Sequence, residues 1–179
     1  MTFLQRAIGA ARLDIPVIEE IEADANATTQ ALAMVVLSSG AAGIGLTSNV
    51  YDAPVLTLIG LALLLWTIWA ALSYAIGLYL LPEPETSTSV GELLRTIGFA
   101  SSPGLLRLFG FVPVIGTTLY GLSLLWMLVA TVVATRQALD YRSTSRAFLV
   151  CLVAGLIAIG MTAVIGGFVL YAAELLSLR

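Results

Sequence analysis

The chain contains no histidine and no lysine, and only one cysteine, Cys151. Without histidine, a His-dependent catalytic triad and a Cys/His metal site are both excluded. One cysteine cannot form an intramolecular disulfide. Charge is scarce too: 11% of the 179 residues are charged, and every basic residue is an arginine scattered along the chain. That distribution excludes the concentrated basic surface that nucleic-acid binding requires. No acid lies in the middle of an apolar run, so a proton relay has no candidate. The small-residue run "SSGAAGIG" is apolar and lacks a lysine, so it is not a phosphate loop. The expectation is a protein with no catalytic residue, no cofactor, no metal and no enzymatic activity. The opening "MTFLQRAIGAARLDIP" has neither a sustained apolar core nor a cleavage site, so no signal peptide is expected.

What the chain does contain is apolar sequence of membrane length. It is 59% hydrophobic, with a mean hydropathy of +1.01. The reading is an all-α, polytopic membrane helical bundle, one domain over residues 29–179, preceded by a cytosolic segment over 1–28. Spans are expected at about 29–47, 53–81, 93–112, 114–135 and 147–172. In the first segment, Pro16 marks a helix start, and Val17, Ile18 and Ile21 share one side. This predicts a short amphipathic helix at the membrane surface. Its acids, Glu19, Glu20 and Glu22, are either a solvated face or a docking surface, together with Arg136, Asp140 and Arg142 of the loop before the last span. Ser39 and Gly43, with Ala41 and Gly45, repeat at four-residue spacing, as do Ala154, Ala158, Thr162 and Gly166. Such stripes let helices approach closely.

The stretch "GFASSPGLLRLFGFVP", residues 98–113, decides the topology. Ser89 and Glu92 form a capping box that starts a helix. Pro103 interrupts it, while Ser102 followed by Pro103 is a good helix start. Two half-helices, about 90–100 and 103–111, are expected to meet at Ser101, Ser102 and Pro103. If this stretch stays out of the bilayer, Arg136, Arg142 and Arg146 fall on the outer side. If it crosses, they join Arg6, Arg12 and Arg95 inside, leaving only Arg179 wholly outside. The positive-inside rule therefore favours five crossings, with the third broken. Arg107 then lies near the outer end and is expected to pair with Asp52 or Glu174, Glu174 first. Backbone groups released at Pro103 must be satisfied inside the bundle, so the third span is expected to be enclosed by the others.

Five spans, an acidic N-terminal segment and "LLRTIGFASSPGLLRLFGFVP" resemble the short prokaryotic Yip1-domain membrane proteins. "LDIPVIEEIEADANATTQA" and "WMLVATVVATRQALDYRSTSRAFLVCL" resemble them as well. The eukaryotic "DLYGPFW"-like signature is absent. The resemblance implies a five-helix domain in a bacterial plasma membrane, N-terminus cytoplasmic and C-terminus periplasmic or exoplasmic. The expected partners are membrane lipid and other membrane protein subunits, a homo-oligomer being compatible, and no nucleic acid. The functional expectation is a scaffold or accessory subunit; the alternative is a small transporter or channel that uses the broken helix as a site.

Overall fold

Local sequence starts the first helices. Thr2 caps α1 (Phe3–Ala11): its hydroxyl accepts from the Gln5 amide, and the Gln5 side chain accepts from the Thr2 amide at 2.9 Å. Pro16 lies in the first turn of α2 (Ile15–Ala23), where its missing amide hydrogen is harmless. Leu13, between them, takes a positive φ of 62° and turns the chain back. Gly9 permits the return, because a Cβ there would lie 2.6 Å from a Val17 methyl group. The computed structural model describes residues 1–46 and 54–177, with side chains through Tyr171.

This hairpin corrects the expectation of one surface helix. Val17 and Ile21 are buried with Ala7 and Ala10 against Ala31 and Met34 of α3 (Ala27–Leu46) and against Phe99. Protein, rather than lipid, covers the apolar side. The alanines and glycine of "AIGAA" allow it, since a helix so slim can lie close to its neighbours.

α4 (Val55–Ala75) continues into a π-helical stretch, Ile76–Leu80. α5 (Val90–Ala100) begins at the Ser89–Glu92 capping box and is followed by a 3-10 helix, Ser102–Phe111. α6 (Gly116–Ala138) and α7 (Thr144–Ser177) complete the chain. All regular structure among the described residues is helical. Four helical stretches are long and apolar enough to cross a membrane: Ala27–Leu46, Val55–Leu80, Gly116–Ala138 and Thr144–Tyr171. The protein is thus a helical membrane protein.

α3 packs on α4 and on the α5/3-10 segment; that segment packs on α6, α6 on α7, and α7 on α4, closing a ring. Side-chain positions give the directions. Ala31 faces Gly98, Ser38 faces Ser101 and Gly104, and Gly45 faces Arg107 and Gly110, so α3 and the α5/3-10 segment run parallel in step. α6 returns antiparallel, with Gly116 beside Gly110 and Ser123 beside Pro103. α4 and α7 are antiparallel, with Gly166 against Leu61, Gly155 against Trp69, and the Trp69 indole N–H donating to the Cys151 carbonyl at 3.0 Å.

The second half of the break is 3-10 rather than α, and its period explains why. A 3-10 helix has three residues per turn, so side chains eclipse every third position, and runs beyond three or four residues are uncommon. Gly104, Arg107 and Gly110 are buried on one face toward α3. Leu105, Leu108 and Phe111 recur on another face and are exposed by 39%, 38% and 45%. An α-helix would rotate the glycines out of register within two turns. The exposed leucines also correct the expectation of a fully enclosed segment: residues 95–104 are buried, and the later residues present one apolar face outward.

Close backbone approach fixes this geometry. A Cβ on Gly45 would collide with the Arg107 carbonyl oxygen, and one on Gly110 would lie 2.7 Å from the Gly45 carbonyl oxygen. Neither obstacle is the flexible end of a side chain. Gly45→Ala should therefore cost about 3 kcal/mol through overpacking. Gly60→Ala, where no atom of another described element lies within 4 Å of the added methyl, should be neutral or slightly stabilising. Thermal melts of the two variants in detergent check this contrast.

Candidate functional site

The break in the ring is a hydrogen-bonded hub. Pro103 has no amide hydrogen to give, and a 3-10 helix and an α-helix meet here. The Gly98 and Ser101 carbonyls keep backbone donors, from the Ser101 and Gly104 amides, and side chains add further hydrogen bonds around the break. The Ser38 hydroxyl donates to the Ser101 carbonyl at 2.9 Å, and Ser101 donates to the Gly98 carbonyl at 2.6 Å. Ser102 donates to the Ala7 carbonyl at 2.9 Å, tying the N-terminal hairpin to the break. Ser123 of α6 donates to the Pro103 carbonyl at 2.8 Å. Arg107 completes the set, donating to the Gly104 carbonyl at 3.1 Å, the Ser38 carbonyl at 3.0 Å and the Ser38 hydroxyl at 2.7 Å. Its guanidinium carbon also sits 5.9 Å from the centre of the Tyr120 ring. Ser38, Ser101, Ser102, Arg107 and Ser123 are all buried.

The expected Arg107 pairing with Glu174, or with Asp52, lies outside the residues whose side chains are described. What the structure gives Arg107 is a set of carbonyl and hydroxyl acceptors, which spread the cation over the backbone of the break. Beside the hub lies a cavity of about 10 Å³, lined among others by Trp66, Trp69, Ser73, Ser101, Met127 and Thr131. That volume holds about one water molecule.

The small-residue stripes sit between helices. Ser39 and Gly43 are buried, and a Cβ on Gly43 would lie 2.9 Å from the Ile59 backbone nitrogen. Ala154 and Ala158 are fully buried. Gly166 faces Leu61, while the Thr162 hydroxyl is buried with no partner among the described residues.

A second polar cluster lies where the hairpin meets the loops. Arg6 is 2% exposed. It bonds Glu20 at 2.7 Å and Gln30 at 2.9 Å, and also pairs with Asp24. Arg95 donates to the Ile21 carbonyl at 3.2 Å and to the Glu22 carbonyl. Glu19 accepts from Gln137 at 3.2 Å. On the far side of the same end, Arg142 pairs with Glu85, and its amide donates to Glu83 at 2.8 Å. Arg146 donates to the Pro82 carbonyl at 2.7 Å, and the Tyr141 hydroxyl contacts the Gly77 and Leu81 carbonyls, each at 2.8 Å. Arg136 donates to the Tyr141 carbonyl at 3.2 Å, and Asp140 turns the chain with a φ of 52°.

Of the residues read from the sequence as a docking surface, the side chains of Glu19, Glu20, Arg136 and Arg142 are therefore engaged within the chain. Glu85, Arg136, Gln137, Asp140 and Tyr141 line an open groove of about 390 Å³. Arg6, Ser38, Glu83, Arg95, Ser123 and Tyr141 carry much of this chemistry and were not singled out by sequence reading. Serines inside apolar runs were the available signal for Ser38 and Ser123.

The carboxyls of α2 titrate in opposite directions. Hydrogen bonds from Arg6 hold Glu20 and Asp24 below the usual carboxylate range. Half-burial, then Asp140 and Glu92, push Glu22 up to about 7, with Arg95 opposing. Burial pushes Tyr141 up to about 12.

The linkage signs follow. Glu20 and Asp24 contribute docking stability above their unfolded pKa near 4.5 and 3.8, which is lost as pH falls through their lowered values. Glu22 binds its proton more tightly when folded, so stability falls as pH rises from 4.5 toward 7. Amide-exchange protection of α1 and α2 should decline as pH rises from about 4.5 to 7 in the wild type and level off above that, and Glu22→Gln should flatten that decline. Arg6→Ala should cost about 2–3 kcal/mol, because it strands two carboxylates and an amide. The same exchange measurement should show protection lost in α1 and α2 before it is lost in α6.

No family model, curated protein or solved structure matches the chain.

Proposed function

We propose that the protein is a non-catalytic membrane scaffold or accessory subunit that crosses the bilayer five times, of the kind the Yip1-domain resemblance implies. One observation carries the scaffold reading: the break at Ser101–Pro103 is closed on itself. Four carbonyls around it, those of Gly98, Ser101, Pro103 and Gly104, each receive a side-chain hydrogen bond. The adjacent cavity of about 10 Å³ has room for a water but not for a transported solute. A discontinuous helix that served transport would leave such groups facing a solvated path.

Five crossings are supported by the parallel register of α3 with the α5/3-10 segment. They are supported also by the contacts of the α6–α7 loop, Tyr141, Arg142 and Arg146, with residues 77–85 of the α4–α5 connection. Both loops then share a side with the N-terminal hairpin, the cytoplasmic side by the arginine count. Outward residues such as Leu125 and Trp126 of α6, and Val164 and Phe168 of α7, are available to lipid or to a partner subunit.

Two measurements test the reading. Cysteines introduced at Ser87, Val114 and Ser145 in a Cys151→Ala background should label from opposite sides. Positions 87 and 145 share one side and 114 takes the other; a shared side for 87 and 114 rejects five crossings. Purification from the native membrane in mild detergent should return a stoichiometric complex. A lone species that moves a solute across liposomes would overturn the scaffold.

A further inference from the structure

The Ser73 hydroxyl of α4, like that of Thr162 in α7, is buried with no hydrogen-bond partner among the described residues. Ser73 is 1% exposed. Serines within helices commonly turn back to a carbonyl one turn earlier, as Thr67 does to Leu63 at 2.8 Å in this same helix. Ser73 instead lines the cavity of about 10 Å³ between α4, α5 and α6. Stranding a hydroxyl in an apolar interior is costly, and genuinely empty cavities are apolar ones. This one is bordered by three hydroxyl-bearing side chains, Ser73, Ser101 and Thr131.

We propose that the cavity is a structural water site, holding one molecule that links α4 to the helix break. The chemistry fits. The Ser101 hydroxyl spends its proton on the Gly98 carbonyl, which leaves its oxygen to accept from the water. Ser73 has a proton to give and no acceptor, so it donates to the water, and the Thr131 hydroxyl completes a set of two to four partners. The site lies between α4 and α5, lined by Trp69 and Ala70 on one side and Ile97 on the other. The proposal rests on packing and hydrogen-bond balance, and holds whether the protein is a scaffold or not.

The sign of one substitution decides it. If the cavity is dry, Ser73→Ala removes an unsatisfied hydroxyl and raises the melting temperature. If the cavity holds water, the same change removes a bridging partner and lowers it by about 2–4 °C, the shift that corresponds to one lost hydrogen bond in a protein of this size. A structure in lipid nanodiscs at water-resolving quality should show one density within hydrogen-bonding distance of Ser73 and Ser101. An empty cavity, or a melting temperature that is unchanged or raised in the variant, overturns the proposal.

Discussion

A carbonyl without a donor cannot be left in an apolar interior, and that constraint organises this bundle. Pro103 removes one amide where α geometry gives way to 3-10. The Gly98 and Ser101 carbonyls keep backbone donors, and side chains add hydrogen bonds to them and to the Pro103 and Gly104 carbonyls. Ser38 is central because it acts both ways: its hydroxyl donates to the Ser101 carbonyl and accepts from Arg107. That requires α3 to lie within one hydrogen bond of the break. Gly45 and Gly110 then follow, because helices so near cannot carry side chains at the crossing. The order of the ring, the parallel register and the buried arginine all descend from it.

The N-terminal hairpin extends the same logic to the chain's polar end. Ser102 reaches the Ala7 carbonyl, so the hairpin is bonded directly to the break. Arg6 gathers Glu20, Asp24 and Gln30 around one buried guanidinium. Acids that read as an external surface are internal counter-charges to an arginine from a neighbouring helix. The hairpin is therefore an integral layer of the fold, and its position is coupled to the geometry of the apolar segments.

Much of this was legible in the sequence. Run length and hydropathy located the long apolar helices, and the Ser89–Glu92 cap and Pro103 located the two ends of α5. Val17, Ile18 and Ile21 pointed to the buried side of α2. The sequence could not reveal what covered that side, because an apolar stripe is the same whether lipid or protein meets it. Nor did it reveal α1, whose alanines and glycine carry little periodic signal. The 3-10 segment was hidden for a different reason. Its period of three, in Gly104, Arg107 and Gly110 against Leu105, Leu108 and Phe111, is plain once the geometry is known, but ten-residue 3-10 helices are too rare to be a default reading. The partners of Ser38 and Ser123 depend on tertiary register and have no local signature.

The three-residue repeat also governs how this segment can change over evolutionary time. Adding or deleting one residue between Ser102 and Phe111 would turn every later side chain by about a third of a revolution. A phenylalanine, Phe109 or Phe111, would then meet Gly45 where a glycine must. Length can change without that rotation only in units of three residues, each about 6 Å along the axis. The α-helices around it keep their faces at an interval nearer seven residues. Segment and neighbours therefore share no short common step, and an insertion that keeps both faces in place has to fall in the loops at either end.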